Sequence, residues 1–154
     1  MGSEMCIRDR RGAHACDALP SVYDAMPYGF VEFISDRGPH SLIPVKIAIT
    51  PVQRASGFQN VCRNDIENVA LLFIFDRDVV KRFHMRNVLA PLDIAFFAND
   101  GELIGMRNML PEKGGAVTRT YGIDRPYRFA LEAMEGRFKL LLDGSTGVRL
   151  KIYR

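Results

Sequence analysis

Short apolar segments alternate with polar turns that contain glycine or proline along most of the chain. From Val45 to Ile49 every second side chain is branched and apolar, and this period of two predicts a strand with one buried face. The run Ala70–Phe75 is apolar throughout, which predicts a central strand covered on both faces. Pattern and turn signals together predict strands at 29–35, 41–50, 70–75, 83–87, 92–98, 102–109, 127–134 and 147–153.

Turn and cap signals define the remaining elements. Asp100-Gly101 predicts a tight hairpin, because glycine supplies the positive φ that such a turn needs. Thr50-Pro51 predicts the start of a helix over 51–59, and a second helical segment is expected at 136–142. The segment 111–126 is rich in glycine and polar residues and is expected to be a surface loop. The sum predicts an α+β fold, a single compact domain with a curved, mostly antiparallel sheet or partial barrel and two short helices.

Charge and length exclude several classes of function. The 154 residues carry 21 Lys and Arg against 18 Asp and Glu, and the resulting net charge of +3 is scattered along the chain. Nucleic acid is therefore not an expected partner, because phosphate binding needs a concentrated basic surface. No apolar run approaches the ~20 residues of a membrane span, so no membrane span is expected. A chain of this size buries enough surface to fold as a monomer without a structural metal or disulfide framework.

The N-terminal residues raise a separate question. Residues 1–10 spell a translated sequencing adapter, so we interpret them as an assembly artefact of metagenomic type; a native polar terminus is the alternative. We take 11–28 as an extended lead-in and 29–154 as one globular domain. Ala13-His14-Ala15 has the small-x-small form of a signal-peptidase site. If the protein is exported, a disulfide between Cys16 and Cys62 becomes possible; otherwise both are reduced thiols.

The central segment resembles a known family. The resemblance rests on Arg54-Ala-Ser-Gly57, Leu71-Leu-Phe-Ile-Phe75, Phe83-His-Met-Arg-Asn87-Val-Leu-Ala-Pro91-Leu-Asp93-Ile-Ala-Phe96, Asp100-Gly101, Leu131-Glu132 and Gly136. Over residues 44–153 the chain is similar to family 192 of the domains of unknown function, and the Phe-x-Met-x-Asn…Pro-Leu-Asp-Ile-x-Phe core is its specific part.

The resemblance implies a small bacterial or archaeal protein, often exported or lipid-anchored, with no established activity. It therefore favours the periplasm or the cell envelope over the cytoplasm. The chain departs from the family at His84, where tryptophan is usual, at Val88, where threonine is usual, and in the segment 57–61, where a Gly-Leu-Met-x-Arg element is degraded. A mechanism shared by the family therefore cannot depend on the His84 imidazole.

Polar residues at strand ends are the candidates for a binding site. Asp93 lies among apolar neighbours and needs donors for its carboxylate, which either the amides of the turn 88–92 or a ligand would supply. A pocket formed jointly by Asn87, Asp93 and Glu132 is the sharper hypothesis, and an exposed salt bridge is the simpler one for Glu132. The other candidate ligand-binding residues are Arg54, Arg86, Met85 and His84. Either arginine would bind an anion, or pair with one of the two carboxylates.

Catalytic and metal-binding patterns are missing from the sequence. There is no nucleophile elbow, no Cys-x-x-Cys and no His-x-x-x-His, so we predict no catalytic residue, no metal site and no cofactor. The leading hypothesis is a non-enzymatic binding or accessory domain of the bacterial cell envelope, whose partner is an unidentified ligand or protein. One alternative is a hydrolase-like enzyme that uses Asp93 and Glu132 as paired carboxylates. Another is a protein–protein interaction module that uses the loop 111–126.

Overall fold

The computed structural model describes residues 18–154, and all structural statements below refer to that part of the chain. It contains eight strands and four short helices. The strands are β1 (Tyr28–Ser35), β2 (Gly38–Pro39), β3 (Ile43–Ala48), β4 (Ala70–Val79), β5 (Leu92–Phe97), β6 (Leu103–Met109), β7 (Tyr127–Met134) and β8 (Arg149–Tyr153). The helices are α1 (Ser21–Asp24), α2 (Pro51–Ser56), α3 (Arg63–Asn68) and α4 (Arg137–Leu142).

The strands form one curled mixed sheet, a half-barrel with the order β2-β1-β3-β4-β7-β5-β6 and with β8 paired to β1. Neighbouring strands are antiparallel except β3 and β4, which run parallel and are joined through α2 and α3. A bridge between Glu102 and Arg149 brings β8 to the start of β6. Gly101 allows this contact: its φ is +90°, and a Cβ there would lie 2.7 Å from the Leu150 carbonyl oxygen. The predicted α+β domain with a partial barrel is thus confirmed.

Each face of the sheet packs against its own apolar cluster. On one face Leu71, Phe73, Ile94 and Phe96 pack against α1, the turn that follows α2, α3 and the segment 81–90. On the opposite face the cluster contains side chains of β1, β3 and α4, with Phe33 stacked on Phe97 at 6.0 Å between ring centroids. The strands β4, β5 and β7 lie inside the sheet, so their side chains are buried on both faces.

The cap and turn signals predict α2 correctly. The Thr50 hydroxyl accepts a hydrogen bond from the Gln53 amide at 3.1 Å, and the Gln53 side chain accepts one from the Thr50 amide at 3.1 Å. This reciprocal pair is a capping box, and it satisfies two amides that a helix start would otherwise leave unpaired. Helix α2 therefore begins at the residue that the Thr-Pro signal indicates.

Two sequence predictions about secondary structure are wrong. The described residues contain four helices where two were expected, since α1 lies in the supposed extended lead-in and α3 gave no signal. The segment 83–87 is not a strand. It makes one isolated bridge, from Phe83 to Tyr121, and then turns at Asn87, which adopts a left-handed φ of 57°.

The short helix α1 is held in place by a buried lysine on β3. The Lys46 ammonium donates hydrogen bonds to the main-chain carbonyls of Tyr23, Asp24 and Met26, at 3.1, 2.8 and 3.2 Å. Those carbonyls lie at or just after the end of α1, where a helix runs out of its own amide donors, and the Tyr23 carbonyl also accepts a bond from the Met26 amide at 3.0 Å. Burial lowers the pKa of Lys46, and the lysine acts as a cap supplied by another element. No helix in residues 18–154 has the length and apolar character that crossing a bilayer requires.

Candidate functional site

A cavity of about 250 Å³ opens between the sheet, helix α2 and the segment 81–88. Aromatic and aliphatic side chains form its apolar wall, and one carboxyl group faces it from the sheet. Cationic side chains and a histidine complete the lining. The residues concerned are Pro51, Arg54, Ala55, Ser56, Gly57, Phe58, Gln59, Phe73, Phe75, Lys81, Arg82, Phe83, His84, Val88 and Glu132.

The carboxyl group belongs to Glu132 on the interior strand β7. Glu132 pairs in register with Leu71 of β4 on one side and with Ile94 of β5 on the other, and both neighbours are fully buried. Because paired residues of adjacent strands share a face, Glu132 projects into the same apolar layer as these two side chains. Only 4% of the Glu132 surface is exposed, so the predicted solvent-exposed salt bridge is wrong.

No group among residues 18–154 donates a hydrogen bond to the Glu132 carboxyl or forms an ion pair with it. Burial in an apolar layer disfavours the charged form of a carboxyl group, since ionisation there forfeits hydration. This desolvation raises the pKa of Glu132 to about 8. At neutral pH the group is therefore mostly protonated, and it carries an O–H that has no acceptor in the described part of the protein.

The mouth of the cavity is basic. Arg54 of α2 donates hydrogen bonds to the carbonyls of Ile49 and Ile74, and its guanidinium lies 5.0 Å from the centroid of the Phe75 ring. Arg82 is fixed by bonds of 2.8 and 2.9 Å to the hydroxyl and carbonyl of Thr120. These contacts hold both guanidinium groups in defined orientations at the rim, which favours binding of an anion there.

Lys81 and His84 complete this rim. Both side chains are exposed, and no residue in 18–154 forms an ion pair with the Lys81 ammonium. The His84 Nδ1 accepts a hydrogen bond from the Arg86 amide at 3.2 Å, which orients the ring. The segment that carries both residues is anchored by a pair of 2.8 Å main-chain hydrogen bonds between Phe83 and Tyr121 of the loop 111–126.

Three of the seven candidate residues from the sequence line this cavity: Glu132, Arg54 and His84. Asp93 does not. Asp93 pairs with Ala133 and Ile94 pairs with Glu132, so the two carboxyl groups occupy successive register positions and point to opposite faces of the sheet. Asp93 instead borders a shallow, open groove that also contains Asn108 and Lys139. The structure does not bring the proposed pair of carboxylates together.

The Asp93 carboxylate has donors, as expected, but they are different ones. Its Oδ2 accepts a hydrogen bond from the Gly136 amide at 2.7 Å, and its Oδ1 accepts one from the Asn108 side chain at 2.9 Å. The prediction that the amides of the turn 88–92 would satisfy Asp93 is therefore wrong. Asp93 connects the start of α4 to the hairpin β5–β6, which is a structural role.

The remaining candidates lie beside the cavity. Met85 is fully buried in the apolar cluster, and the exposed Arg86 is not part of the lining. Asn87 accepts a 2.7 Å hydrogen bond from the Asn60 amide through its carbonyl, and its side chain contacts that of Gln59 at 3.4 Å. Asn87 thus positions the loop after α2, which contributes Gln59 to the cavity lining. Asn87 itself is not part of that lining.

Sequence reasoning missed the apolar wall and half of the basic rim. Phe58, Phe73, Phe75 and Phe83 form that wall, and Lys81 and Arg82 are rim residues that no sequence motif singles out. The alternation of Leu71, Phe73 and Phe75 on one face of β4 is the signal that identifies part of this wall. Within residues 18–154 no group of three or more His, Cys, Asp or Glu side chains is arranged to hold a metal ion.

Fold and site together define a small α+β half-barrel domain with one buried acid in an apolar cavity. The family model of DUF192, described as "Uncharacterized ACR", matches residues 33–151, and the chain belongs to this family. The resemblance found in the sequence is thereby confirmed, and the matched span includes Glu132 and every other lining residue of the cavity. No match is found among curated proteins.

Two solved structures have a similar fold. One is a protein of Sinorhizobium meliloti 1021 with a provisional description as a transcription regulator. It is 27% identical with a TM-score of 0.71, over 82% of this chain and 95% of that one. The other is a protein of unknown function from Novosphingobium aromaticivorans DSM 12444, 22% identical with a TM-score of 0.69, over 89% of this chain and 95% of that one. The second likeness shows the fold alone.

Proposed function

We propose that this protein is a non-enzymatic binding domain that holds a small molecule in the cavity over Glu132. One observation carries the proposal: a carboxyl group that is 96% buried faces a cavity and has no hydrogen-bond partner among the described residues. A buried polar group without a partner costs about 1–3 kcal/mol, so proteins rarely keep one that only contributes to the fold. An isosteric apolar residue would fill the same position without that cost.

A protonated carboxyl in a cavity is also what a general acid requires. The hydrolase hypothesis, however, needs a second carboxylate, and among the described lining residues Glu132 is the only carboxylic acid. Binding therefore accounts for this site with fewer assumptions than catalysis. The hypothesis of an interaction module based on the loop 111–126 stays a prediction, and it gains support if no small molecule binds.

We also propose that the domain functions in the bacterial cell envelope. Cys62 is disulfide-bonded in the structure, while Cys16, the partner considered for an exported protein, lies outside the described residues. Disulfides persist in oxidising compartments such as the periplasm and are rare in the cytosol, which supports export. Peptide mapping of the non-reduced protein after expression behind a secretion signal tests the pairing. A cross-linked peptide that contains Cys16 and Cys62 is expected, and two alkylated thiols would contradict the proposal.

A thermal-shift screen against a broad metabolite panel tests the binding function. Ala55 is exposed on α2 at the cavity mouth, whereas Val52 is exposed on the same helix outside the lining. Ala55→Trp should therefore block the cavity, and Val52→Trp is its matched control. We expect compounds that stabilise the wild type and the control but not Ala55→Trp. A flat response across the panel, or stabilisation that Ala55→Trp leaves intact, would refute binding in this cavity.

A further inference from the structure

At the inner end of the cavity, the Glu132 O–H lacks a hydrogen-bond acceptor among the described residues. Glu132 offers an O–H from an apolar layer, and no main-chain or side-chain group of residues 18–154 accepts it. A neutral acceptor such as a carbonyl oxygen would satisfy this donor without requiring Glu132 to ionise. A ligand cation would instead require Glu132 to ionise in the apolar layer and would have to pass the basic mouth.

The middle of the cavity suits one ring or a chain of similar size. The rings of Phe58, Phe73, Phe75 and Phe83 line it, with Val88 beside them. Phe83 packs against neighbouring rings. It meets Phe73 edge-on at 5.1 Å between centroids and also contacts Phe96 at 5.9 Å, so the wall is packed rather than loose. A volume of about 250 Å³ falls just below the roughly 300–1,000 Å³ of pockets for drug-sized ligands, which limits the apolar body to about one ring.

The outer end of the cavity selects for negative charge. The charged and titratable groups that face the cavity are Arg54 from α2 and Lys81, Arg82 and His84 from the segment 81–88, together with Glu132 from β7. The residues paired with Glu132 on β4 and β5, Leu71 and Ile94, are uncharged. Because Arg54 and Arg82 are already held by carbonyl or hydroxyl groups, binding an anion at this rim requires little additional ordering.

We propose that the ligand is a small amphipathic anion with three parts: an anionic group at the basic mouth, an apolar body of about one ring against the phenylalanines, and an uncharged acceptor that the Glu132 O–H binds. This inference rests on the proposed binding function and specifies its ligand class. The three parts match three groups in the lining: exposed or half-buried cations, mostly buried aromatic rings, and a buried donor.

Calorimetric titration with four simple probes tests this assignment. 4-Acetylbenzoate has all three parts, benzoate lacks the acceptor, acetophenone lacks the anion, and benzyltrimethylammonium reverses the charge. We expect 4-acetylbenzoate to bind at least tenfold more tightly than each of the other three at pH 6. Its affinity should fall toward that of benzoate as the pH rises through 8, because ionisation removes the donated proton.

Substitutions assign the two polar ends separately. Glu132→Gln keeps an N–H donor, so 4-acetylbenzoate should still bind this variant, now without the alkaline loss. In Glu132→Leu its affinity should fall to that of benzoate. Lys81→Gln should weaken the binding of both benzoates several-fold, whereas Arg86→Gln, at an exposed cation outside the lining, should leave binding unchanged.

Different results would refute the proposed ligand class and the proposed binding function. Tighter binding of benzyltrimethylammonium, with an affinity that rises with pH, would overturn the ligand class and leave the cavity as a binding site. Equal affinity of 4-acetylbenzoate for the wild type and Glu132→Leu would overturn the role of the buried donor. The binding function itself fails if neither these probes nor any compound of the metabolite panel binds. It also fails if the observed binding persists in Ala55→Trp.

Discussion

Replacing Glu132 by glutamine should change the dependence of stability on pH. The folded protein raises the pKa of Glu132 from 4.5 to about 8, so the folded state binds this proton more tightly than the unfolded state does. Stability from this group is therefore fully present below pH 4.5 and is lost as the pH rises through 8. At 1.36 kcal/mol per pKa unit the whole loss is about 5 kcal/mol, and about 3 kcal/mol of it has occurred by pH 7. Glutamine does not titrate, so the variant should escape this loss.

Urea denaturation of both proteins from pH 5 to pH 9 measures this effect. We expect similar free energies of unfolding at pH 5 and a growing advantage of Glu132→Gln as the pH rises, reaching about 3 kcal/mol near pH 7. Contributions of other titrating groups cancel in the difference between the two proteins. Glu102→Gln, which changes an exposed carboxyl at the start of β6, is the matched control and should run parallel to the wild type. A constant difference between Glu132→Gln and wild type across this range would show that folding does not shift the pKa of Glu132.

Three further predictions concern the fold. Asp93→Asn should lower the free energy of unfolding by about 1–3 kcal/mol in urea denaturation, because it weakens the bonds from Gly136 and Asn108. The same variant should bind 4-acetylbenzoate like the wild type, and a selective loss of binding would contradict a structural role. Lys46→Met should cost about 2–3 kcal/mol, since it removes three hydrogen bonds from a buried ammonium to main-chain carbonyls; circular dichroism during thermal unfolding checks this, and an unchanged midpoint would refute it. Reducing the Cys62 disulfide should cost about 2–4 kcal/mol if its loop spans roughly 45 residues, as pairing with Cys16 implies, and equal stability with and without reductant would exclude that contribution.

The strand pattern made most of the fold predictable. β7 was predicted at its exact bounds, and β1, β5 and β6 within about one residue, because regular alternation and an Asp-Gly turn are strong local signals. Helix α3 was missed for an equally local reason. Its sequence buries only Ile66, and its N-cap residue Cys62 makes no side-chain cap bond, so neither periodicity nor capping marks its start.

The site was harder to predict because burial depends on strand order. Arg128 and Glu132 alternate with apolar residues on β7, and this pattern suggests a solvated face. In the sheet, β7 runs between β4 and β5, so Glu132 in its middle is covered. Arg128, near the strand's start, remains accessible enough to pair with Asp78 at 3.0 Å. One face of a strand thus carries both a half-buried and a fully buried ionisable group, and only the tertiary structure distinguishes them.

The segment 83–87 illustrates a second limit. Phe83, Met85 and Asn87 alternate like the side chains of a strand, but here the pattern belongs to an irregular segment. Met85 is buried in the core, and Asn87 takes the left-handed conformation that asparagine tolerates better than most residues. The hydrogen bond from the Asn60 amide to the Asn87 carbonyl fixes this turn, and that bond joins positions too distant in sequence for a local pattern to reveal.

The proposed ligand site depends on the protonation state of Glu132, and a carboxyl titration by NMR on protein with ¹³C-labelled glutamate measures that state directly. We expect one glutamate carboxyl resonance to titrate with a midpoint near pH 8, and this resonance to be missing from Glu132→Gln. If the resonance that disappears in the variant completes its titration below pH 6 in the wild type, Glu132 is ionised at neutral pH and the buried donor does not exist.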